Sequence, residues 1–148
     1  MIRHLGAEMD HATVDGATLG RSLRGMGLNI LTRDAGALAR FVAQVFDLNL
    51  LRASPDFALV GHGPHLLQFH ADGTFAGHPL LNLLPENPPR GAGIQIYLFD
   101  TDPDAAATRA LALGGTVLEP PRDKPHGLRE ATILAPEGQA FTAAKVIP

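Results

Sequence analysis

The stretch 28-LNILTRDAGALARFVAQVF-46 decides the fold, because its pattern changes from that of a strand to that of a helix. Residues 28–32 are typical of a short strand, and Asp34 then offers a carboxylate that can cap the free N–H groups of a helix. The apolar residues that follow recur at the spacing of one helical face: Leu38, Phe41, Val42, Val45 and Phe46. The stretch therefore predicts a strand followed by a helix with one buried face.

The same order of elements occurs twice. After the first helix, β-prone runs separated by turns predict strands at 48–51, 57–60 and 65–69. The second half repeats the order, with a strand at 94–99, a helix opened by Asp102-Pro103 and stopped by Gly114-Gly115, and strands at 116–118, 129–134 and 139–146. Asp34 corresponds to Asp100, and Phe41 to Ala107. The sequence thus predicts an α+β fold of two βαβββ modules.

The length of 148 residues suits one domain. We assign residues 1–25 to an N-terminal extension, a candidate arm on a partner subunit, and residues 26–148 to the domain. Module one covers 27–70 and module two covers 93–147. The linker 71–92 is rich in Gly, Pro and Asn, and a loop of this length is typically functional or gating.

Composition excludes several classes of function. The chain has no cysteine, which removes disulfides, thiolate nucleophiles and Cys-containing zinc sites. A net charge of −3 with unclustered Lys and Arg argues against nucleic-acid binding. No apolar run reaches the roughly 18 residues of a membrane span, and the start lacks a secretory signal. We therefore expect a cytoplasmic protein that acts on a small molecule or with another protein.

The tail carries a family resemblance. The segments 127-GLREA-131 and 136-PEGQAF-141 resemble the G-x-R-x … D-P-[DE]-G-N-x-[FWL] stretch of the vicinal oxygen chelate superfamily, which includes glyoxalases, extradiol dioxygenases, and fosfomycin- and bleomycin-resistance proteins. The resemblance extends over about 27–147. It implies curved sheets that form a ligand cup, and a homodimer in which each cup is built across the subunit interface.

The resemblance also implies where metal-dependent relatives hold their four ligands. By position these fall on Gly27, Gln68, Ile94 and Thr142, where His and Glu are usual. None of the four supplies an imidazole or a carboxylate, the groups that divalent metals in such enzymes require. We therefore expect no metal ion and no cofactor.

Strand alternation, combined with the geometry of the family, selects the polar residues that face the cup. We expect ligand contacts from Asn29, Gln68, His70 and Thr142, with Arg129 beside the loop over the cup as a possible partner for an anionic ligand. Surface roles stay open for Asn29 at a solvent-facing edge, for His70 at a strand end and for Arg129 at a strand start.

The remaining positions of the cup are expected to be apolar or small: Leu31, Ile94, Ile96, Leu98 and Ala140. Tyr97 is expected on the opposite face, beneath a helix. Glu130 and Glu137 are expected outside the cup, which leaves no visible base for proton abstraction.

Three hypotheses about function follow. The first is a metal-independent, homodimeric protein that captures an organic compound or antibiotic, as bleomycin-resistance proteins do. The second is a lyase, isomerase or dioxygenase with a non-standard metal site that involves Gln68 and His70. The third is a subunit or regulatory partner that has lost ligand binding. The sequence does not identify the ligand.

Overall fold

The structure is a computed structural model that describes residues 9–84, 90–91 and 93–148. Its α-helices are α1 (Gly16–Ser22), α2 (Ala35–Phe46) and α3 (Pro103–Ala112). Its strands are β1 (Leu28–Thr32), β2 (Asn49–Ala53), β3 (Phe57–His62), β4 (His65–Ala71), β5 (Gln95–Phe99), β6 (Thr116–Asp123), β7 (Leu128–Leu134) and β8 (Ala140–Val146). The described part of the chain contains no helix long and apolar enough to cross a membrane.

The strands form two open, four-stranded mixed sheets. Sheet A has the order β1-β4-β3-β2, and sheet B has the order β5-β8-β7-β6. In each sheet the first strand of the module pairs in parallel with the last, and the other pairs are antiparallel. The predicted α+β fold of two βαβββ modules is confirmed.

The caps of both module helices are those that the sequence predicts. The Asp34 side chain accepts a hydrogen bond from the backbone N–H of Ala37 at 3.0 Å. Asp102 accepts from the N–H groups of Asp104 at 3.0 Å and Ala105 at 3.3 Å. These bonds satisfy donors that the first turn of a helix leaves free, so both helices begin where the sequence predicts.

The two modules share one hydrophobic core. Sheet A contributes Ile30 and Phe69, and sheet B contributes Ile133 and Phe141. Phe46 at the end of α2 packs across the module boundary, with its ring centroid 6.0 Å from that of Phe141. Because strand side chains alternate, the residues between these point away from the core. We call the surfaces that they form the outer faces of sheets A and B.

Helix α1 lies in the N-terminal extension, where the sequence predicts no helix. Its Leu19 is only 4% exposed, and the side chain of Arg52 in β2 donates to the carbonyl of Val14 at 3.0 Å. The extension therefore lies on the outer face of sheet A in its own chain. In the predicted linker the structure has two 3₁₀ helices, Asp72–Phe75 and Pro79–Leu83. Residues 1–8, 85–89 and 92 lie outside the described residues.

Glu137, in the turn before β8, joins the modules. Its Oε2 accepts hydrogen bonds from the Thr32 hydroxyl at 2.9 Å and the Arg33 N–H at 3.2 Å, both at the end of β1. The Nε of Arg90 lies 3.6 Å from Oε1 of the same carboxyl group. Arg90 is 6% exposed and binds Asp72 through two 2.7 Å hydrogen bonds. One carboxylate thus holds β1, the linker and the β7–β8 turn together.

We expect Glu137→Ala to lower the free energy of unfolding by about 1–3 kcal/mol, because it removes two hydrogen bonds to the end of β1 and the second carboxylate beside the buried Arg90, which keeps Asp72. Urea denaturation monitored by circular dichroism measures this loss. Glu119→Ala is the matched control: Glu119 pairs with Arg122 and Lys124 at the surface, where solvent screens ion pairs, so its loss is expected to leave the free energy of unfolding nearly unchanged. Equal effects of the two variants would contradict the joining role.

Candidate functional site

The outer face of sheet A brings together three of the residues selected from the sequence. Asn29 of β1 lies opposite Gln68 of β4, and Leu31 lies opposite His70. The Nδ1 atom of His70 is 2.5 Å from Oδ1 of Asn29. Asn29, Gln68 and His70 therefore form one polar group on this face, as alternation along β1 and β4 predicts.

His70 is held in a defined state by its surroundings. Its ring packs against Phe57 at a centroid distance of 4.7 Å and against Phe75 at 5.4 Å. Partial burial among these rings lowers the pKa of His70, so the ring is neutral at pH 7. With Nδ1–H donating to the carbonyl oxygen of Asn29, Nε2 keeps its lone pair and can accept a hydrogen bond.

A pocket of about 250 Å³ lies between α1 and this outer face. Its wall is apolar on the helix side and partly polar on the sheet side, and it consists of Gly16, Leu19, Gly20, Leu23, Phe57, Gln68 and His70. None of these lining residues is an Asp, Glu, Lys or Arg. The Gln68 side chain makes no hydrogen bond to any residue that the structure describes. Its carboxamide is thus free to donate to and accept from a bound molecule.

On the outer face of sheet B, the residues that strand β5 contributes are shifted by one position from those that the sequence predicts. Tyr97 lies opposite Thr142 of β8, so these two side chains share the outer face. Ile96 and Leu98 lie opposite Phe141 and Ala143 and pack with the core. The expectation that Ile96 and Leu98 line the cup, with Tyr97 beneath a helix, is therefore wrong.

Ile94 also differs from its expected place, because it precedes β5 and is 62% exposed. Its neighbour Gln95 is the outer-face residue, and its Nε2 donates to the hydroxyl of Thr142 at 2.7 Å. Thr142 is fully buried and also bonds Thr132 at 2.9 Å. The Gln95–Thr142 pair in sheet B occupies the same place as the Asn29–His70 pair in sheet A.

Glu130 lies on the outer face of sheet B, not outside it. Glu130 is only 3% exposed, and its Oε1 accepts a hydrogen bond from the Tyr97 hydroxyl at 3.2 Å. Its Oε2 is 2.7 Å from Nε2 of His126. The expectation that no acid lies on this wall is wrong. The alternation of Glu130 and Thr132 with Ala131 and Ile133, which are in the core, is the sequence signal that identifies it.

Tyr97 is the titratable group at the edge of this network. Desolvation raises the pKa of Tyr97, and the nearby charge of Glu130 and its hydrogen bond with the hydroxyl raise it further. The hydroxyl therefore stays protonated at neutral pH and donates to Glu130. The ring of Tyr97 stacks on Phe99 at a centroid distance of 5.2 Å.

Arg129 is placed at the surface end of β7. Its guanidinium group binds Asp104 of α3 at 2.8 and 2.9 Å and Asp123 at 3.1 Å. The hydrogen bonds to Asp104 and Asp123 raise the pKa of Arg129, so it is permanently charged. Arg129 does not line the pocket beside α1.

The donor set of the two outer faces does not fit a divalent metal ion. On the parallel strands of these faces the donors include Asn29, Gln68, His70, Gln95 and Thr142, which supply one imidazole, three carboxamides and a hydroxyl. The carboxylate beside them, Glu130, is already bonded to Tyr97 and His126. The Nδ1 atom of the imidazole is already bound to Asn29. Within the described ranges, no three His, Asp or Glu side chains converge as they would around a metal.

A second cavity of about 310 Å³ lies at the junction of the modules. Its polar lining includes Asp47, His62, Asp100, Asp102 and Arg109. Several of these groups already have structural partners: Asp102 caps α3, Arg109 donates to the Val45 carbonyl, and His62 binds the Phe99 carbonyl. The pocket beside α1, with an unpartnered carboxamide, is the better candidate for a ligand.

Comparison with known sequences and structures agrees with this fold. Residues 27–144 match the family described as the glyoxalase-like domain. No curated protein sequence matches the chain. Among solved structures, a glyoxalase/bleomycin resistance protein/dioxygenase family enzyme from Burkholderia phytofirmans PsJN is similar at a TM-score of 0.66 and 25% identity, over 81% of this chain and 96% of that one.

Two further similar structures have lower identity. TioX from Micromonospora sp. ML1 has a TM-score of 0.58 and 20% identity, over 84% of this chain and 98% of that one. The fosfomycin resistance protein FosX from Mesorhizobium loti has a TM-score of 0.57 and 18% identity, over 84% of this chain and 94% of that one. At these identities the likeness shows the fold alone.

The Tyr97–Glu130 contact can be tested by titration, because Tyr97 is the single tyrosine of a chain without tryptophan. We expect the ultraviolet absorbance of the phenolate to appear with a midpoint above the ordinary value of 10.0. Glu130→Gln should lower this midpoint without fully restoring it, because desolvation remains. Asp56→Asn, in a turn of module one, should leave it unchanged. A midpoint that does not respond to Glu130→Gln would contradict the contact.

Proposed function

Because the chain belongs to the glyoxalase-like domain family, we propose that it binds a small, neutral organic molecule in the pocket between α1 and sheet A, without a metal ion. The observation that carries the proposal is the pocket itself, with Gln68 and His70 as its polar groups and Leu19, Leu23 and Phe57 as its apolar ones. A mostly apolar cavity with a few placed polar groups is typical of ligand sites.

The lining limits the chemistry of the ligand. A charged molecule would lose its hydration without gaining a counter-charge, which is costly, so the ligand is expected to be neutral. The volume of about 250 Å³ is smaller than the roughly 300–1,000 Å³ of sites for drug-sized ligands. It suits a molecule, or one group of a molecule, with a single ring. A hydroxyl or amide on this ring would bond the Gln68 carboxamide and Nε2 of His70.

We infer that the protein acts by equilibrium capture of this ligand and that two copies associate. Capture of an organic compound, including an antibiotic, requires affinity and a closed site rather than a reactive group. Association is supported by the outer face of sheet B, where Phe99 is 52% exposed and Tyr97 is 37% exposed beside it. Exposed aromatic side chains that stack on one another are typical of a protein interface. A cytoplasmic location is part of the same proposal.

Catalysis is the second candidate function, and the buried Glu130 favours it. A carboxyl group with few water contacts, bonded to a tyrosine and a histidine, is the type of group that abstracts or returns a proton. Its neighbours Tyr97 and His126 are the groups that reach the surface of sheet B. Incorporation of solvent deuterium into a carbonyl compound, lost in Glu130→Gln, would favour this candidate over capture alone.

The role of Gln68 can be tested with phenol and benzene, which differ by one hydroxyl group. In ligand-observed NMR titrations we expect Gln68→Met to weaken phenol binding about fivefold to tenfold, the loss of roughly one hydrogen bond, and to leave benzene binding unchanged. Gln44→Met, on the exposed side of α2, is the matched control and should change neither. Protein purified without chelators should hold metal far below one equivalent. Stoichiometric metal that is lost in His70→Ala would contradict the proposal.

The proposed association can be tested by analytical ultracentrifugation over a range of concentrations. Phe99→Glu puts a charge into the exposed aromatic patch, so we expect it to shift a dimer toward monomer. Leu111→Glu, a change at an apolar residue of α3 that is also exposed, should leave the dimer intact. A monomeric parent protein, or equal dissociation of both variants, would contradict association through sheet B.

A further inference from the structure

Helix α1 is an amphipathic segment with a single buried residue. Its N-terminus is capped by Asp15, whose carboxylate accepts from the Thr18 N–H at 3.2 Å. The face toward sheet A carries residues three or four apart along the helix: Gly16, Leu19, Gly20 and, just beyond its end, Leu23. Of the helix residues only Leu19 is buried. The helix therefore rests on the sheet mainly through one leucine side chain.

Few contacts hold this N-terminal segment against the rest of the chain. The segment is joined to β2 by the hydrogen bond from the Arg52 side chain to the Val14 carbonyl. The Arg52 guanidinium in turn lies 5.3 Å from the centroid of the Phe57 ring. Toward β1 the chain passes through Gly25, whose φ is +72°, and Met26, which is 97% exposed. A segment with few buried contacts and an exposed glycine connection has a low free energy of local opening.

We propose that residues 9–25 form a lid over the ligand pocket of sheet A, so that the N-terminal extension closes the site and sets the size of the molecule it accepts. The inference rests on the proposed function, because it assigns a second wall to the same pocket. In the closed state Leu19 and Leu23 cover the apolar part of the ligand. Entry and release require Leu19 to leave the sheet while Gln68 and His70 stay in place.

Two exposed glycines of α1, Gly16 and Gly20, line the pocket. A Cβ atom built on Gly16 or on Gly20 meets no heavy atom within 4 Å, and both residues line the pocket. Any larger side chain at these positions would extend into the space that the ligand is proposed to fill. Neither glycine has a positive φ, so a larger residue is compatible with the helix. Glycine also lowers helix stability by roughly 1 kcal/mol relative to alanine. Two glycines on one face of α1 therefore destabilise the helix, and the space that they leave for a ligand is a reason for their presence.

The test is Gly20→Leu, measured with benzene and phenol by ligand-observed NMR. We expect both probes to bind at least tenfold more weakly, because the leucine side chain occupies their space. Ala17→Leu places the same side chain on the exposed face of α1 and should leave both affinities unchanged. Thermal unfolding followed by circular dichroism checks that both variants fold. Benzene should also slow hydrogen–deuterium exchange at the backbone amides of residues 16–23.

The outcomes separate the lid from the site beneath it. Suppose that phenol affinity falls in Gln68→Met but is unchanged in Gly20→Leu, and that bound phenol does not slow exchange of the α1 amides. The lid is then overturned, and the proposed binding site stands. If neither probe binds the parent protein, the proposed function fails and the lid fails with it. Leu19→Ala provides a second measurement: the lid predicts faster exchange of the α1 amides and faster probe release, and unchanged exchange would overturn it.

Discussion

A single hydrophobic core, shared by both modules, is the constraint on which the rest of the structure depends. Phe69 of sheet A and Phe141 of sheet B both pack into it, with α2 and α3. Since alternate residues of the strands that line this core point into it, the residues between them lie on the two outer faces. The placement of every candidate functional side chain follows from this division. Glu137 then ties the end of β1 to the turn before β8.

The two outer faces have the same arrangement of hydrogen-bonded strands but carry different side chains. Each has a side-chain hydrogen bond between its parallel strands, Asn29–His70 in sheet A and Gln95–Thr142 in sheet B. In sheet A the histidine ring is neutral and borders the pocket that lies between α1 and the sheet. In sheet B the equivalent hydroxyl is buried, and polar bonds extend toward Glu130. This difference is why we propose ligand capture at sheet A and subunit association at the exposed aromatic rings of sheet B.

Local patterns predict much of this structure from sequence. The caps at Asp34 and Asp102, the order of the strands and the polar group of Asn29, Gln68 and His70 all follow from spacing and alternation. The predicted face of β5 is wrong because the sequence pattern aligns Ile94, and not Gln95, with the outer face, and a one-residue shift reverses every side chain of a strand. Helix α1 is short and has two glycines, so apart from its Asp15 cap its own residues favour a helix only weakly, and its one buried residue is Leu19.

We propose above all that one neutral molecule is held between α1 and sheet A. Intermolecular nuclear Overhauser effects from bound phenol, measured on the isotope-labelled protein, test it most directly. We expect contacts from the same phenol ring to the Leu19 methyl groups and to the side-chain amide of Gln68. Contacts to Tyr97 and Phe99 on sheet B, with none to Leu19 or Gln68, would contradict it.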